Sequence, residues 1–348
     1  LNSGRDVARA IDALRRGWTV SIEGSTFLAV ETADEAALAD FDSGTPADIL
    51  ISGTRAVTLK LGNQRDAVPT GPVRIRRTPW LDLAGATAVA DPALDLKTPL
   101  KGPFQTVPLV PMEQAEPALR LARLAGLLPA LFIGGSSEGA VHVSGAAIIS
   151  ASQSAALRIA SRAKLPTRFA ERAEIVAFRS EEDAAEHVAL VIGEPAGAPP
   201  LVRLHSECLT GDVLGSLKCD CGPQLDDAMA AIADSGWGIL LYLRQEGRAI
   251  GLVNKLRAYS LQDQGFDTVD ANLRLGFGDD ERNFSVAARM LELLSQRQVR
   301  LLTNNPRKVS GLEAEGIKIA AQVPLRTTAN RHNSAYLETK RLRSGHQL

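Results

Sequence analysis

Cysteine, aromatic residues, long apolar runs and an excess of either charge are all scarce in this chain of 348 residues. Lys and Arg number 39 against 40 Asp and Glu, a formal net charge of -1. Without bulk positive charge, a protein that holds nucleic acid through its overall field is not expected. The longest apolar runs, such as Gly238–Leu243, fall far short of the ~20 residues that a membrane-spanning helix needs, so no membrane partner is expected either. No secretion signal is legible: the opening LNSGRDVARAIDALRRG has the spacing of an amphipathic helix, which points to the cytoplasm. Because the first residue is Leu, the true start of the chain is expected to be missing. What is present is ordinary globular usage, 45% apolar and 23% charged, which argues against disorder. At roughly 150 residues per domain, the length predicts two domains.

The three cysteines are Cys208, Cys219 and Cys221, with none elsewhere. An odd, clustered set is a poor disulfide framework and favours a metal site or a reactive thiol. Residues two apart on a helix point to nearly opposite faces, whereas in a turn both can reach one ion. Pro223 suits a first helical position, which sets the Cys219/Cys221 pair beside a helix N-terminus, where the thiolate is favoured. Cys208 can close the site across a loop containing Gly211 and Gly215. Three soft thiolates select zinc over magnesium or calcium, and three protein ligands leave a fourth position open, as in catalytic zinc sites. Two other readings stand beside this one. The cysteines could be small buried hydrophobes, or His205 could be a fourth ligand that makes the zinc structural.

Residues 1–199 read as an α+β domain, with strands at Val20–Ile22, Phe27–Val30, Asp48–Ile51 and Ala56–Leu59 and a helix over Pro117–Leu124. GEPAGAPP at Gly193–Pro200 is the strongest break and is taken as the domain boundary. Residues 200–325 alternate strand and helix in the α/β manner. Strands are expected at Leu201–Leu204, Ile239–Leu243, Val299–Thr303 and Ile317–Ala320. Helices are expected over Gln224–Ser235, Ile250–Gln264 and Ser285–Ser295 and from Pro306. Residues 326–348 form a basic tail, to which no chemistry is assigned.

Four motifs in this order, Arg203-Leu-His-Ser-Glu-Cys-Leu-Thr-Gly-Asp212, Cys219-Asp-Cys-Gly-Pro-Gln224, Leu243-Arg-Gln-Glu-Gly-Arg-Ala-Ile-Gly251 and Leu301-Leu-Thr-Asn-Asn-Pro-Arg-Lys308, closely resemble GTP cyclohydrolase II. The likeness covers about residues 200–325 and extends to Tyr336-Leu-Glu-Thr-Lys340. It implies an α/β domain with a mixed sheet and flanking helices. It also implies hydrolysis of GTP to 2,5-diamino-6-hydroxy-4-(5-phosphoribosylamino)pyrimidine, formate and pyrophosphate, the first step of riboflavin synthesis. By the same likeness Cys208, Cys219 and Cys221 hold one zinc per subunit, with water in the fourth position. Arg203, Leu204, His205, Ser206, Glu207, Gln224, Glu246, Gly247, Arg248, Thr268, Thr303 and Lys308 contact GTP. Such a set fits a triphosphate, which wants cationic forks and hydroxyls, and guanine, which wants a carboxylate acceptor. Magnesium is implied on the phosphates, and a homodimer is implied by the family. Asp280 matches a proton acceptor, Arg282 a nucleophile on the α-phosphorus, and Tyr259 an active-site tyrosine. A guanidinium is a poor nucleophile, so an electrostatic clamp is the rival role for Arg282. Ala249 stands where the family usually has Gly, which adds strain if that backbone needs a positive φ. Asn283 likewise replaces a more frequent Asp.

The stretch 1–199 resembles a degenerate 3,4-dihydroxy-2-butanone-4-phosphate synthase. Ala10-Ile-Asp-Ala-Leu-Arg-Arg-Gly17 is similar to that family's first helix and Leu119-Arg-Leu-Ala-Arg-Leu-Ala-Gly-Leu-Leu-Pro129 to its last. Its acidic loop is replaced by Ile22-Glu-Gly-Ser-Thr-Phe-Leu28, and its Gly-His-Thr by Glu113-Gln-Ala115. The carboxylate expected on the following strand is absent from Phe132-Ile-Gly-Gly135. Without clustered carboxylates no synthase activity is expected. Two rivals remain to the cyclohydrolase reading: a paralogue with another substrate, and a zinc-stabilised nucleotide sensor without turnover.

Overall fold

The computed structural model describes residues 3–61, 64, 71–151, 157–180, 185–195 and 197–325, together with 333, 338, 342 and 343. Most of the basic tail, and most of the Tyr336–Lys340 motif, therefore lies outside the described residues. The chain forms two compact units, Leu1–Ser152 with Val253–Glu281, and Gln153–Leu252 with Arg282–Leu348. Among the described residues no helix is long and apolar enough to cross a membrane.

The first unit is built on a seven-stranded sheet. Its strands are β1 (Val20–Ile22), β2 (Ser25–Ala29), β3 (Asp48–Ile51), β4 (Val73–Ile75), β5 (Thr106–Val107), β6 (Ala130–Ile133) and β7 (Val141–Val143), in the order β5-β4-β3-β6-β2-β1-β7. All pairs are antiparallel except β1 with β7. β1 and β2 form a two-residue hairpin through Glu23 and Gly24, both at positive φ, the backbone that matches strand twist. Helix Ser3–Arg15 buries Val7, Ala10 and Leu14, spaced to share one face, against Ile22, Phe27 and Leu131 of the sheet. Helix Met112–Leu124 adds Ala118, Leu119, Leu121 and Ala122 to the same core. It begins well before the expected start at Pro117, which sits inside it.

The strand expected at Ala56–Leu59 is instead a helix, Gly53–Thr58. Ser52 caps it, accepting the Arg55 N–H at 3.3 Å. The buried Arg55 guanidinium then fixes the turn by donating to Ala88 O, Val89 O and both oxygens of Asp95. So short an apolar stretch carries no period able to reveal this, because the deciding contacts come from a distant part of the chain.

Residues 253–281, placed by sequence in the 200–325 domain, pack within this first unit. They contain the helices Leu252–Asp263, against an expected Ile250–Gln264, and Thr268–Arg274, which the sequence reading did not identify. Asn254 Nδ2 donates to Gly126 O at 2.8 Å, and Arg257 pairs with Glu31 and Asp91, each at 2.9 Å.

The second unit holds β8 (Leu157–Lys164), β9 (Ala173–Ser180), β10 (Glu186–Gly193), β11 (Leu201–Ser206), β12 (Trp237–Leu243), β13 (Gln298–Leu302) and β14 (Lys318–Val323). Their order is β14-β13-β11-β12-β10-β9-β8. β8, β9 and β10 form an antiparallel meander, β10 pairs antiparallel with β12, and β12, β11, β13 and β14 run parallel. The sheet is thus mixed, as expected. The helices Phe284–Leu293 and Pro306–Ala314 cover one face with Met290, Leu291 and Leu312, over Val202, Ile239 and Leu301. Helix Cys221–Asp234 covers the other with Ala228, Met229 and Ile232, over Leu201 and Leu240.

The sequence-based division at 199/200 runs through this sheet. Within GEPAGAPP, Gly193 ends β10 and Pro200 directly precedes β11, and both of those strands pair with β12. Its Gly and Pro content suits a tight connection within one sheet as well as it suits a linker. The meander was hard to read because β8 is exposed along most of its length and lacks an apolar alternation.

Candidate metal centre and nucleotide-binding residues

The chain leaves β11 and turns to β12 on one side, while β13 pairs on the other, so the strand order reverses at β11. In open α/β sheets the crevice beyond the carboxyl ends of the strands at such a point is where ligands bind. Ser206 ends β11 and Glu207 and Cys208 follow it, Arg244 to Glu246 follow β12, and Thr303 to Asn305 follow β13. The motifs scattered in sequence are therefore gathered at one end of one sheet.

Cys208, Cys219 and Cys221 bring their sulfurs within 4.8 Å of one another, and among the described residues no His, Asp or Glu joins them. The Cys208 and Cys219 sulfurs stand 3.7 Å apart, too far for a disulfide. Cys221 is the first residue of helix Cys221–Asp234, so Pro223 comes third rather than first, and the pair straddles the helix N-terminus. Gly211 makes the cluster possible. A Cβ there would stand 2.8 Å from the Cys219 sulfur and 3.0 Å from that of Cys208, so any side chain would fill the space between the thiols. Cys208 raises the Cys219 thiol, and Cys208 and Cys219 together push that of Cys221 well up. A soft divalent cation, which binds the thiolate form, offsets that upward push on Cys219 and Cys221. Donor set and cradle therefore fit zinc.

His205 is buried, but its Nε2 lies 3.1 Å from both carboxylate oxygens of Asp212, and its Nδ1 is buried without a hydrogen-bond partner. It is not part of the sulfur cluster. Asp212 is a hub missed in the sequence, since it also accepts the Tyr242 hydroxyl at 2.8 Å and the Cys208 N–H at 3.0 Å. The signal was its place shortly after Cys208, on the same turn. Burial lowers the His205 ring against the opposing pull of Asp212, which keeps it neutral near pH 7. Burial, then Asp212, pushes the Tyr242 hydroxyl up, so it remains a donor.

Arg203 is buried on β11 and donates to Leu302 O at 3.1 Å and to Gln224 Oε1 at 2.6 Å, while its Nε has no partner. Gln224 is fixed in turn by Asp220, whose Oδ2 accepts its Nε2 at 2.5 Å. Burial lowers the Arg203 guanidinium to about 10, opposed by Asp220 and Cys221, and it stays charged at neutral pH. Lys308, buried on helix Pro306–Ala314, donates to Leu204 O at 2.7 Å. The Thr303 hydroxyl accepts the Asn305 N–H at 3.0 Å. Arg244 Nε donates to Glu207 at 2.7 Å, and Glu246 accepts the N–H groups of Leu209 at 2.7 Å and Gly247 at 3.0 Å. Gly247, Arg248 and Ala249 all take positive φ, at 62°, 62° and 71°, so Ala249 occupies the backbone that favours glycine. Asn283 caps helix Phe284–Leu293 by accepting the Ser285 N–H, a role that Asp would fill equally.

Three expected site residues belong to the first unit. Tyr259 has the Lys255 ammonium 5.8 Å from its ring centroid, Thr268 opens its helix and bonds Gln262, and Asp280 closes the segment. Arg282 belongs to the second unit, its guanidinium 5.7 Å from the centroid of Phe284.

A family model described as GTP cyclohydrolase II matches residues 158–324. A GTP cyclohydrolase-2 from Azospirillum brasilense is 42% identical over 99% of this chain and 94% of its own. One from Pseudomonas aeruginosa is 58% identical over 53% of this chain and 90% of its own. The riboflavin biosynthesis protein RibBA of Bacillus subtilis is 55% identical over 53% of this chain and 46% of its own length. A solved two-domain 3,4-dihydroxy-2-butanone 4-phosphate synthase, RibBX from A. baumannii, aligns over 92% of this chain with a TM-score of 0.29 and 17% identity, too distant to carry over its fold. With a relative this similar along nearly its whole length, and with the motif residues gathered at one end of one sheet, the chain belongs to the GTP cyclohydrolase II family.

Proposed function

We propose that this protein is a zinc-dependent GTP cyclohydrolase II, which hydrolyses GTP to 2,5-diamino-6-hydroxy-4-(5-phosphoribosylamino)pyrimidine, formate and pyrophosphate. The observation that carries the reading is the three-cysteine cluster at the carboxyl end of β11, beside the buried cation Arg203 on that strand. Zinc held by Cys208, Cys219 and Cys221 would supply a Lewis acid and a water acidic enough to attack C8 of guanine near neutral pH.

The chain's own groups do the rest. Arg203 is charged, desolvated and held by Leu302 O and Gln224, so its orientation is set before an anion arrives. Lys308 offers a second fixed charge and Thr303 a hydroxyl, the equipment for a triphosphate with its magnesium. Glu246, carried on the left-handed turn Gly247–Ala249, is the acceptor suited to guanine N1 and its exocyclic amine. Tyr259, Asp280 and Arg282 carry the family's catalytic roles. One zinc per subunit and a homodimer complete the proposal, and the synthase-like N-terminal stretch, lacking clustered carboxylates, has no synthase activity.

The deciding assay incubates zinc-loaded protein with GTP and magnesium and measures formate, pyrophosphate and the pyrimidine. All three are expected in equal amounts. GTP binding without formate would establish the sensor instead, and turnover of another purine or pyrimidine nucleotide in place of GTP would establish the paralogue. A guanylyl adduct trapped on Arg282 in a single turnover would decide for the nucleophile, and its absence for the clamp.

A further inference from the structure

The segment 253–281 lies inside the matched stretch 158–324, yet the residues holding it in the first unit lie outside that stretch. Three separate points are fixed. Asn254, fully buried, donates to Gly126 O through Nδ2 and accepts from Arg257 Nη1 through Oδ1, both at 2.8 Å. Arg257 Nη1 donates also to Glu31 Oε1, and its Nε to Asp91 Oδ2, each at 2.9 Å. Both acids are themselves anchored, since the other Glu31 oxygen accepts the Leu128 N–H and the other Asp91 oxygen accepts the Ala93 N–H, each at 2.8 Å. Further along, helix Thr268–Arg274 lies against helix Gly53–Thr58. At the far end Gly276, with φ at +85°, packs so closely that a Cβ would stand 2.5 Å from Pro129 and 2.8 Å from Ser52 Oγ.

We propose that the segment Leu1–Ser152, having no synthase chemistry of its own, serves as an internal clamp that fixes the 253–281 segment for the cyclohydrolase reaction. Arg257, forked between Glu31 and Asp91, is the positioning residue. The inference rests on the cyclohydrolase reading through the three residues that the segment carries. Tyr259 follows Arg257 closely on the same helix, Thr268 opens the helix packed on Gly53–Thr58, and Asp280 comes soon after Gly276. A guanidinium bonded to two carboxylates in a largely dry setting fixes the rotation of its helix as well as its position. A misplacement of about 1 Å at a reacting group can cost ~100-fold in rate, so a clamp distant in sequence can govern turnover.

The test uses the full-length zinc-loaded protein and the variants Glu31→Gln and Asp91→Asn, singly and together. Each amide keeps the oxygen that accepts the neighbouring backbone N–H and turns its NH2 toward Arg257, which removes both the charge and the acceptor that held the guanidinium. Hydrogen exchange along the chain, bound zinc, and kcat and KM for formate release are measured at a temperature where circular dichroism shows every variant folded. The double variant is expected to exchange the 253–281 amides about 10-fold faster and to lose about 10-fold in kcat, with bound zinc unchanged. Arg257→Met should match it, adding the acid substitutions to Arg257→Met should change nothing more, and Arg257→Lys should recover part of kcat. Unchanged exchange in 253–281 overturns the clamp, and faster exchange with unchanged kcat reduces it to a structural contact. If the unaltered protein releases no formate, the cyclohydrolase reading fails by itself, while the exchange measurement still decides whether Leu1–Ser152 holds the segment.

Discussion

Three cations of the first unit end on carboxylates, Arg55 on Asp95, Arg77 on Asp42 and Lys101 on Asp95, whereas Arg203 in the second unit ends on two neutral oxygens, Leu302 O and Gln224 Oε1. The first arrangement is closed, because charge and hydrogen-bonding capacity are spent inside the protein. The second is open: Arg203 keeps a full positive charge and an unpartnered Nε, and His205 Nδ1 and Gln245 Oε1 are buried without partners nearby in the chain. In the first unit the Thr78 hydroxyl and the Nε of Arg120, a residue otherwise engaged, are such atoms among the described residues, but they belong to separate parts of the chain, whereas those of the second unit lie on β11 and just after β12. Polar groups buried without partners cost free energy unless something else meets them, so where a fold tolerates several of them together a ligand is implied. One sheet has become scaffold, and the other holds its polar groups ready.

The sharpest way to break that contrast is to remove the cation's ligands. Cys219→Ser should reduce bound zinc to near zero and abolish formate release, about 1,000-fold or more, as read by metal analysis and a formate assay. Formate release retained by a zinc-free variant would sink the mechanism. Next in size is the hub beneath the cluster. Asp212→Asn keeps the shape but cannot accept from His205, Tyr242 and the Cys208 N–H together, so zinc affinity measured by chelator competition should fall roughly 10–100-fold. Tyr242→Phe, which removes one donor and leaves the carboxylate in place, should lower it by less.

The closed arrangement predicts stability rather than chemistry. Asp95 accepts both terminal nitrogens of Arg55 at 2.8 and 2.7 Å and bonds Lys101 as well. Burial raises its carboxyl, but those two cations outweigh burial and hold it below the ordinary value. A carboxylate whose folded value is lowered contributes stability that is complete above its unfolded value, near 4, and disappears as the pH falls through the folded value. Asp95→Asn should therefore destabilise the first unit by about 3 kcal/mol at pH 7, since it leaves Arg55 buried without its partner. The difference from the unaltered protein should close below about pH 4, as chemical denaturation at several pH values would show. Zinc content should not move.

Much of the second unit was legible because its chemistry-bearing residues sit in long contiguous motifs. The strands at 201, 239 and 299 and the helices around Pro223 and from Pro306 came close to their observed bounds, since buried parallel strands and a proline in the first helical turn leave strong local marks. Three features were not legible, each for a physical reason. Strand β8 exposes most of its side chains, so it has no apolar alternation to read. Gly53–Thr58 owes its helix to Arg55 reaching Ala88, Val89 and Asp95, contacts that a short window does not contain. The attachment of 253–281 to the first unit depends on Arg257 meeting acids 226 and 166 residues away, and nothing local to Arg257 announces them. Asp212 was visible inside a quoted motif, but its three donors become apparent only when β12 brings Tyr242 beside it.

The smallest expected effect is at Ala249, where the open unit carries a strain that the motif comparison foresaw conditionally. Its φ of 71° puts a Cβ into the left-handed region, and Arg248 beside it, at 62°, does the same. Each non-glycine residue held there costs about 1–2 kcal/mol in backbone energy, part of which is offset because glycine loses more freedom on folding. Ala249→Gly should therefore raise stability by no more than about 1 kcal/mol, a shift of a few degrees in thermal midpoint. The turn also carries Glu246, whose carboxylate binds the Leu209 and Gly247 N–H groups, so its shape sets where that acceptor points. If the strained alanine only tightens this geometry, Ala249→Gly will leave KM for GTP within about twofold. If instead the looser backbone lets Glu246 wander, KM will rise while stability improves, and the two readings separate in one pair of measurements, a melting curve and a substrate titration.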